Sequence, residues 1–229
     1  DVYKRQDMGK SIASNPQLLL VLIFDFLKLI GYYTLMATVA YYAKVVLQDE
    51  AAMSIILVVF NVGALVGSLI SKNVVAKIGS KMTNIVGVLG FAVCLVAIYV
   101  MPANMMIVTV LLGIAQIFFG ISYGNTTSLY SNCGTYSEYK TGKNTKAVIM
   151  SFSSLAIKIS IAVRGVVITS VLSAIGYHAN AAITSSTVSG IKMLCLVVPI
   201  IFLVASVIPL LGYKIKDSDI AVMELSLIH

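Results

Sequence analysis

The sequence predicts an all-α membrane protein of six transmembrane helices, and two observations lead there. Six apolar stretches run through the 229 residues, at about Leu18–Leu47, Met53–Ile70, Ile85–Met101, Met105–Tyr130, Ala147–Ile175 and Ile191–Tyr213. A hydrocarbon core about 30 Å thick takes roughly 17–25 helical residues to cross, and each stretch is long enough. The connections alternate in charge. One side carries Lys4, Arg5 and Lys10, then Lys72, Lys77 and Lys81, then Lys140, Lys143 and Lys146, then Lys214 and Lys216. The other side, around Gln48–Ala52, Pro102–Asn104 and Tyr177–Gly190, carries no Lys or Arg. Positive charge stays cytoplasmic during insertion, so a multi-pass protein of the cell (inner) membrane with both termini cytoplasmic is expected.

Composition agrees. Apolar residues make up 59%, charged residues 11%, and the mean hydropathy is +0.98, which excludes an ordinary soluble domain. A net charge of +7 could suggest nucleic acid, but the cations cluster beside helix ends on one side. They read as topology determinants in contact with lipid headgroups, and no nucleic-acid partner is expected. Cys94, Cys133 and Cys195 are scattered and read as small apolar fillers, with no metal site or disulfide indicated. Residues 1–14 read as a cytoplasmic start, 15–213 as the membrane domain and 214–229 as a cytoplasmic tail. The ends, Asp1–Gln6 and the final LSLIH, break the flanking pattern and read as non-native, so a fragment is expected.

Each stretch has its own character. The first follows Ser14-Asn15-Pro16-Gln17, an Asn-Pro pair that sets up a helix start. The second holds Gly63-x-x-x-Gly67, a spacing that lets helix backbones approach closely. A basic loop, Ser71–Thr83, is expected next. The third is apolar nearly all round and is expected to face lipid along much of its surface. The fourth carries Gln116, Gly120, Ser122, Tyr123, Gly124, Asn125, Thr126, Thr127 and Ser128, a polar run that must face the bundle interior or water. A long cytoplasmic loop, Asn132–Lys146, is expected after it. The fifth carries Ser151, Ser153, Ser154, Lys158, Ser160 and Arg164, and Pro199 and Pro209 interrupt the sixth.

Four charges lie well inside these stretches: Asp25, Lys28, Lys158 and Arg164. Each costs about 2.5–3.5 kcal/mol on insertion scales. At a rise of about 1.5 Å per residue, Lys28 and Lys158 lie roughly 16 Å deep and Asp25 roughly 12 Å. Asp25, Lys28 and Tyr32 share one helical face, and Ser151, Ser154 and Lys158 share another. The two faces are expected to meet near the midplane. They either line a polar cavity for a solute or coupling ion, or form an Asp25–Lys28 or Asp25–Lys158 ion pair that fixes helix packing.

Glu138–Ala147 (EYKTGKNTKA), the serines after it, Lys158 and Ser173–Tyr177 (SAIGY) resemble the glycoside–pentoside–hexuronide:cation symporters of the major facilitator superfamily. The likeness spans about Asn15–Tyr213, with Ala40–Glu50 and Ala76–Met82 in support. It implies the C-terminal half of a twelve-helix major facilitator fold, with an N-terminal six-helix half as its missing partner. It also implies a sugar or glycoside substrate and a coupling cation, H⁺, Na⁺ or Li⁺. Lys158 matches a lysine near the family's cation site, and Ser154 a position that approaches the sugar. The family often carries acidic residues before its Glu-Tyr/Trp-Lys stretch, where this chain has Asn132 and Thr135. Its cation-binding carboxylates lie in the N-terminal half.

The expected solute and cation pathway is therefore Asp25, Lys28, Tyr32, Gln116, Tyr123, Asn125, Ser154, Lys158 and Arg164. Glu138, Tyr139 and Lys140 are expected in a cytoplasmic gate loop. Rival readings are a major facilitator transporter for lipids or drug-like solutes, and a membrane scaffold or channel subunit. A membrane-embedded enzyme would need a cluster of acids, His or Cys at an interface. His178 reads instead as a solvated loop residue, and no cofactor is expected. The charge asymmetry yields a test. In a cysteine-free full-length background, single cysteines at Asn144 and Asn180 should label with an impermeant thiol reagent from opposite sides of the membrane. Labelling from one side would overturn both the orientation and the six-span count.

Overall fold

The computed structural model describes residues 15–49, 51–142, 144–178 and 183–228. Lys4, Arg5, Lys10, Ser14, Glu50, Lys143, Asn180 and the proposed non-native start lie outside the described residues. Helix α1 (Pro16–Tyr41) begins at the Asn-Pro pair: Asn15 Oδ1 accepts the Leu18 N–H at 3.1 Å, and Pro16 takes the first helical position. The helix runs on as a π-helical turn, Tyr42–Leu47, closed by Gln48 at φ 54°.

Helix α2 (Ala52–Val100) is 49 residues long and departs from helical geometry at Gly79, with φ 78° and ψ 163°. That combination is essentially reserved to glycine. In a straight helix Gly63 and Gly87 would lie about 36 Å apart. Yet a Cβ on Gly63 would meet the carbonyl oxygen of Gly113, and one on Gly87 that of Phe118. Both belong to helix α3 (Met105–Thr141), about 7.5 Å apart along its axis. So α2 folds back at Gly79 into two legs, residues 52–78 and 80–100, that both lie along α3.

Two loop expectations are corrected here. Ser71–Thr83 is helical on either side of Gly79, and Asn132–Thr141 is the end of α3, closed by Gly142 at φ 66°. A change from apolar to polar residues marks where a chain leaves hydrocarbon. It does not end a helix unless a backbone signal is also present. Glu138, Tyr139 and Lys140 therefore sit on the last turn of α3, and the loop is reduced to the few residues before α4 (Lys146–Ala174).

The last rod is continuous through α5 (Ser185–Lys192), a π-helical turn at Met193–Val197, and α6 (Val198–Leu211). Pro199 stands just after that turn, where its missing N–H costs little, and Pro209 stands in the last turn of α6. The tail is partly ordered as a further helix, α7 (Asp217–Ile228), which the sequence reading left without structure. Among the described residues, five helical segments are long and apolar enough to cross a membrane: Pro16–Leu47, Ala52–Val100, Met105–Thr141, Lys146–Ala174 and Ser185–Leu211. The fold is all-helical, as the sequence predicts.

The core forms where small residues let backbones touch. A Cβ on Gly67 would overlap the Ile117 carbonyl oxygen, and one on Gly120 the Ala64 carbonyl oxygen. Ser71 Oγ adds a hydrogen bond to the Ile121 carbonyl at 2.8 Å. The Gly63-x-x-x-Gly67 spacing thus works as helix packing. On the outer side of the same leg, Val58, Val62, Leu65 and Leu69 form an exposed apolar stripe. The second leg buries Val88, Phe91, Leu95 and Ile98 and exposes Val93, Val96 and Val100. Cys94, Cys133 and Cys195 are free and buried, packed as apolar side chains. Helix α4 is the lightly held one. It buries only a narrow stripe, Ile149, Phe152, Ala156 and Ser160, and Ser160 Oγ donates to the Phe26 carbonyl of α1 at 3.1 Å.

Gly67→Ala should cost about 1–3 kcal/mol, because the neighbour it strikes is backbone and cannot move aside. Gly165 on α4 has nothing within 4 Å of an added Cβ, so Gly165→Ala should be neutral or stabilising by up to about 1 kcal/mol. Thermal unfolding in detergent separates the two.

Candidate functional site

The strongest polar feature lies between α1 and α3. Lys28 is fully buried, and its Nζ lies 2.9 Å from Asp25 Oδ1. The ammonium also donates to Thr126 Oγ1 at 2.6 Å and stands 4.8 Å from the centroid of the Phe24 ring. Asp25 Oδ2 accepts the Tyr130 hydroxyl at 3.0 Å. Spacing explains the pairing: i and i+3 on α1 put acid and base on one face, and i and i+4 on α3 put the two hydroxyls opposite. A buried pair is tolerable when its remaining lone pairs and protons are satisfied, and the α3 hydroxyls do that.

Polar contacts continue from Thr126 to the second leg of α2. Asn84 Oδ1 accepts Ser122 Oγ at 2.9 Å and lies 3.3 Å from Thr126 Oγ1. Its Nδ2 donates to the Ser80 carbonyl at 3.0 Å, and Asn125 Nδ2 donates to the same oxygen at 2.7 Å. At this end of the bundle Lys81 Nζ donates to the carbonyls of Leu211 and Tyr213, at 2.9 and 2.7 Å, closing the end of α6. A cleft of about 480 Å³ opens there, between the Gly79 turn and residues 213–217.

A second group is aromatic. Tyr32 stacks on Phe119 with ring centroids 3.8 Å apart and planes within 3°. Phe119 neighbours Tyr123 at 5.6 Å, Tyr32 neighbours Tyr33 at 5.3 Å, and the Arg164 guanidinium lies 5.7 Å from the Tyr33 ring centroid. Tyr123 is 47% exposed. The result is an aromatic face from α1 and α3 with one cation of α4 at its edge. Such a face offers stacking area and donors to a polar ring compound.

The third group stands apart. Ser151, Ser154 and Lys158 are exposed on α4. Lys158 is two residues from Ala156 and from Ser160, both of which are buried, so it points to the opposite, exposed side of the helix. The predicted meeting of the Asp25–Lys28–Tyr32 and Ser151–Ser154–Lys158 faces does not occur within the described residues. Asp25 pairs with Lys28 and not with Lys158, because the pair neutralises itself locally and finds hydroxyl partners on α3. Tyr32 leaves the ion-pair face for Phe119. Periodicity groups residues on a face without fixing where the face turns.

Of the other expected residues, Asn125 is buried in the polar chain, and Gln116 is fully buried with neither amide atom hydrogen-bonded among the described residues. Glu138, Tyr139 and Lys140 cap the far end of α3, with Lys140 Nζ 5.7 Å from the Tyr136 ring centroid. Sequence reasoning missed Asn84, Tyr130, Lys81 and Asp217. The Ser80–Asn84 spacing, i and i+4 beside a polar run, was the signal available for Asn84.

Long apolar helices that enclose a buried, fully partnered charge pair mark a multi-pass membrane protein. The family described as MFS/sugar transport protein matches residues 4–217, and the chain belongs to that family. It is similar to the glucuronide carrier protein homolog of Escherichia coli, 26% identical over 210 residues, covering 91% of this chain and 46% of that protein. It is 27% identical to the isoprimeverose transporter of Lactiplantibacillus pentosus over 212 residues, covering 92% of this chain and 44% of that protein. It is also 27% identical to the uncharacterized symporter YjmB of Bacillus subtilis, covering 92% and 46%. The chain spans about half the length of the curated relatives it matches. These are transporters and not enzymes, and the resemblance to sugar symporters holds.

Lys28→Met would leave Asp25 buried and unpaired, and should destabilise by about 3–5 kcal/mol. Lys158→Met, at an exposed position without a charged partner among the described residues, should change stability by no more than about 0.5 kcal/mol. Thermal melts of both variants in detergent check the contrast.

Proposed function

We propose that the chain is the C-terminal half of a cation-coupled symporter for a sugar or glycoside, working by alternating access in the cell membrane. The observation that carries this reading is the outward face of α4. A lysine in the middle of a membrane span costs about 2.5–3.5 kcal/mol against lipid, so Lys158, Ser154 and Ser151 need a polar surface opposite them. The relatives are about twice as long as this chain, and in this reading a further half of the protein supplies such a surface. Taking the two legs of α2 as separate crossings, beside the four other apolar segments, supports a six-span reading of the kind that one half of a major facilitator fold requires. Transporters of this design hold substrate near the midplane between two repeats and rock around it.

In this reading Tyr32 and Tyr123 form the stacking platform for the sugar ring, and Arg164 supplies donors at its edge. Lys158 stands where a bound H⁺, Na⁺ or Li⁺ would exchange with its charge, with Ser154 one turn below to orient it. Asp25 and Lys28 hold α1 to α3 beneath the platform, while Gln116 and Asn125 line the α3 side. The ends of α2 and α3, including Glu138, Tyr139 and Lys140, form the cytoplasmic gate, with both termini on that side. The names of the relatives support a sugar or glycoside as solute.

The test is uptake into vesicles containing the full-length protein, with and without an imposed ion gradient. Lys158→Ala should abolish gradient-driven accumulation and leave membrane insertion unchanged. Lys158→Arg should not restore it fully, since a guanidinium stays charged and cannot release its proton. Normal accumulation by Lys158→Ala would reduce this lysine to a packing residue and remove the coupling role.

A further inference from the structure

Two carboxylates tie the tail helix to the bundle: Glu224 Oε1 lies 3.5 Å from Thr135 Oγ1 and 4.0 Å from Lys146 Nζ, and the shorter contacts are made at the start of the helix. Asp217, at the start of α7, accepts the Ser80 backbone N–H on Oδ2 at 2.6 Å and the Asn132 side-chain amide on Oδ1 at 3.0 Å. One side chain therefore joins α7 to the first residue after the Gly79 turn and to the far end of α3. The same turn is held from its other side, because the Ser80 carbonyl accepts both Asn84 and Asn125. Asn84 in turn presents its Oδ1 to Ser122 and Thr126, and Thr126 receives the Lys28 ammonium. A continuous run of polar contacts thus leads from an exposed carboxylate on the tail to the buried ion pair, through four helices.

We propose that Asp217 is a latch that closes the Gly79 end of the bundle, and that Asn84 couples the latch to the Lys28–Asp25 pair. With the latch shut, both polar groups of the Ser80 peptide region are engaged and the turn has one position. Release of Asp217 frees the turn to shift and moves the carbonyl that orients the Asn84 amide. The amide has a donor end and an acceptor end, so it cannot serve Ser122 and Thr126 equally well once Ser80 moves. Thr126 Oγ1, which also donates to the Ser122 carbonyl of its own helix at 2.9 Å, then loses Asn84 as its second acceptor beside Lys28. The device goes beyond the transport reading and holds whatever the solute is.

Cys133 is a native reporter. It is fully buried beside Tyr213, its carbonyl accepts Asn15 Nδ2 at 3.0 Å, and it follows the latch residue Asn132. Cys94 and Cys195 are buried elsewhere, in the second leg of α2 and the π-helical turn before α6. The purified chain is treated in detergent with N-ethylmaleimide, and modification of each cysteine is followed by peptide mass spectrometry. Asp217→Ala should raise the Cys133 rate about tenfold or more, as loss of a hydrogen bond to a charged group implies, while Cys94 and Cys195 keep their rates. Asp217→Asn, which retains an acceptor for Ser80, should give a smaller rise. Asn84→Ala and Thr126→Val should also raise the Cys133 rate. An unchanged Cys133 rate in Asp217→Ala, or an equal rise at all three cysteines, would overturn the latch. A response to Asp217→Ala without one to Asn84→Ala or Thr126→Val would overturn the coupling to the ion pair.

Discussion

The buried Lys28–Asp25 pair is the constraint around which the described helices are arranged. Two charges inside an apolar span cannot stay unmatched, and each demands more partners than the other can supply. The hydroxyls of Thr126 and Tyr130 meet that demand, which fixes the rotation of α1 against α3. Once α3 turns Thr126 toward α1, its neighbour Ser122 reaches Asn84 on the second leg of α2. The polar interior of the described helices is thus one connected arrangement, in which each group is placed by the need of the previous one.

Packing supplies the other half of the architecture. Lipid provides no hydrophobic drive between helices, so association rests on close contact and interhelical hydrogen bonds. The first leg of α2 reaches α3 through Gly63, Gly67 and Gly120, where backbone touches backbone, and Ser71 adds a hydrogen bond. The second leg reaches α3 through Gly87, close against the Phe118 carbonyl, and through side-chain amides and hydroxyls. The turn that permits both contacts is a single glycine, Gly79, in a conformation that other residues avoid. Helix α4 has neither device along most of its length. It carries a lysine and serines at exposed positions, on the side turned away from its buried stripe.

Much of the fold was legible in the sequence. The helical starts and stops of the first stretch, the Gly63–Gly67 contact, the interior position of Asn125 and the burial of the cysteines all follow from local chemistry. The loop assignments failed where polarity was taken for an end of helix, at Asn132–Thr141 and on both sides of Gly79. A polar residue changes the solvent a helix prefers, whereas ending the helix takes a backbone cause such as the left-handed Gly142 or the extended Gly79. The site was half legible: the residues that had to be special were found, and their neighbours were not.

Sequence alone determined that the chain crosses a membrane, which charges are costly there, and which residues share a helical face, because hydropathy, charge and period are properties of each segment by itself. Tertiary structure decided which way each face turns. It paired Asp25 with Lys28 and turned Lys158 outward, sent Tyr32 to Phe119, and brought Asp217 to the Gly79 turn across 137 positions of sequence. Those outcomes depend on the rotation of one helix against another, which is set by contacts between segments and not written in any one of them.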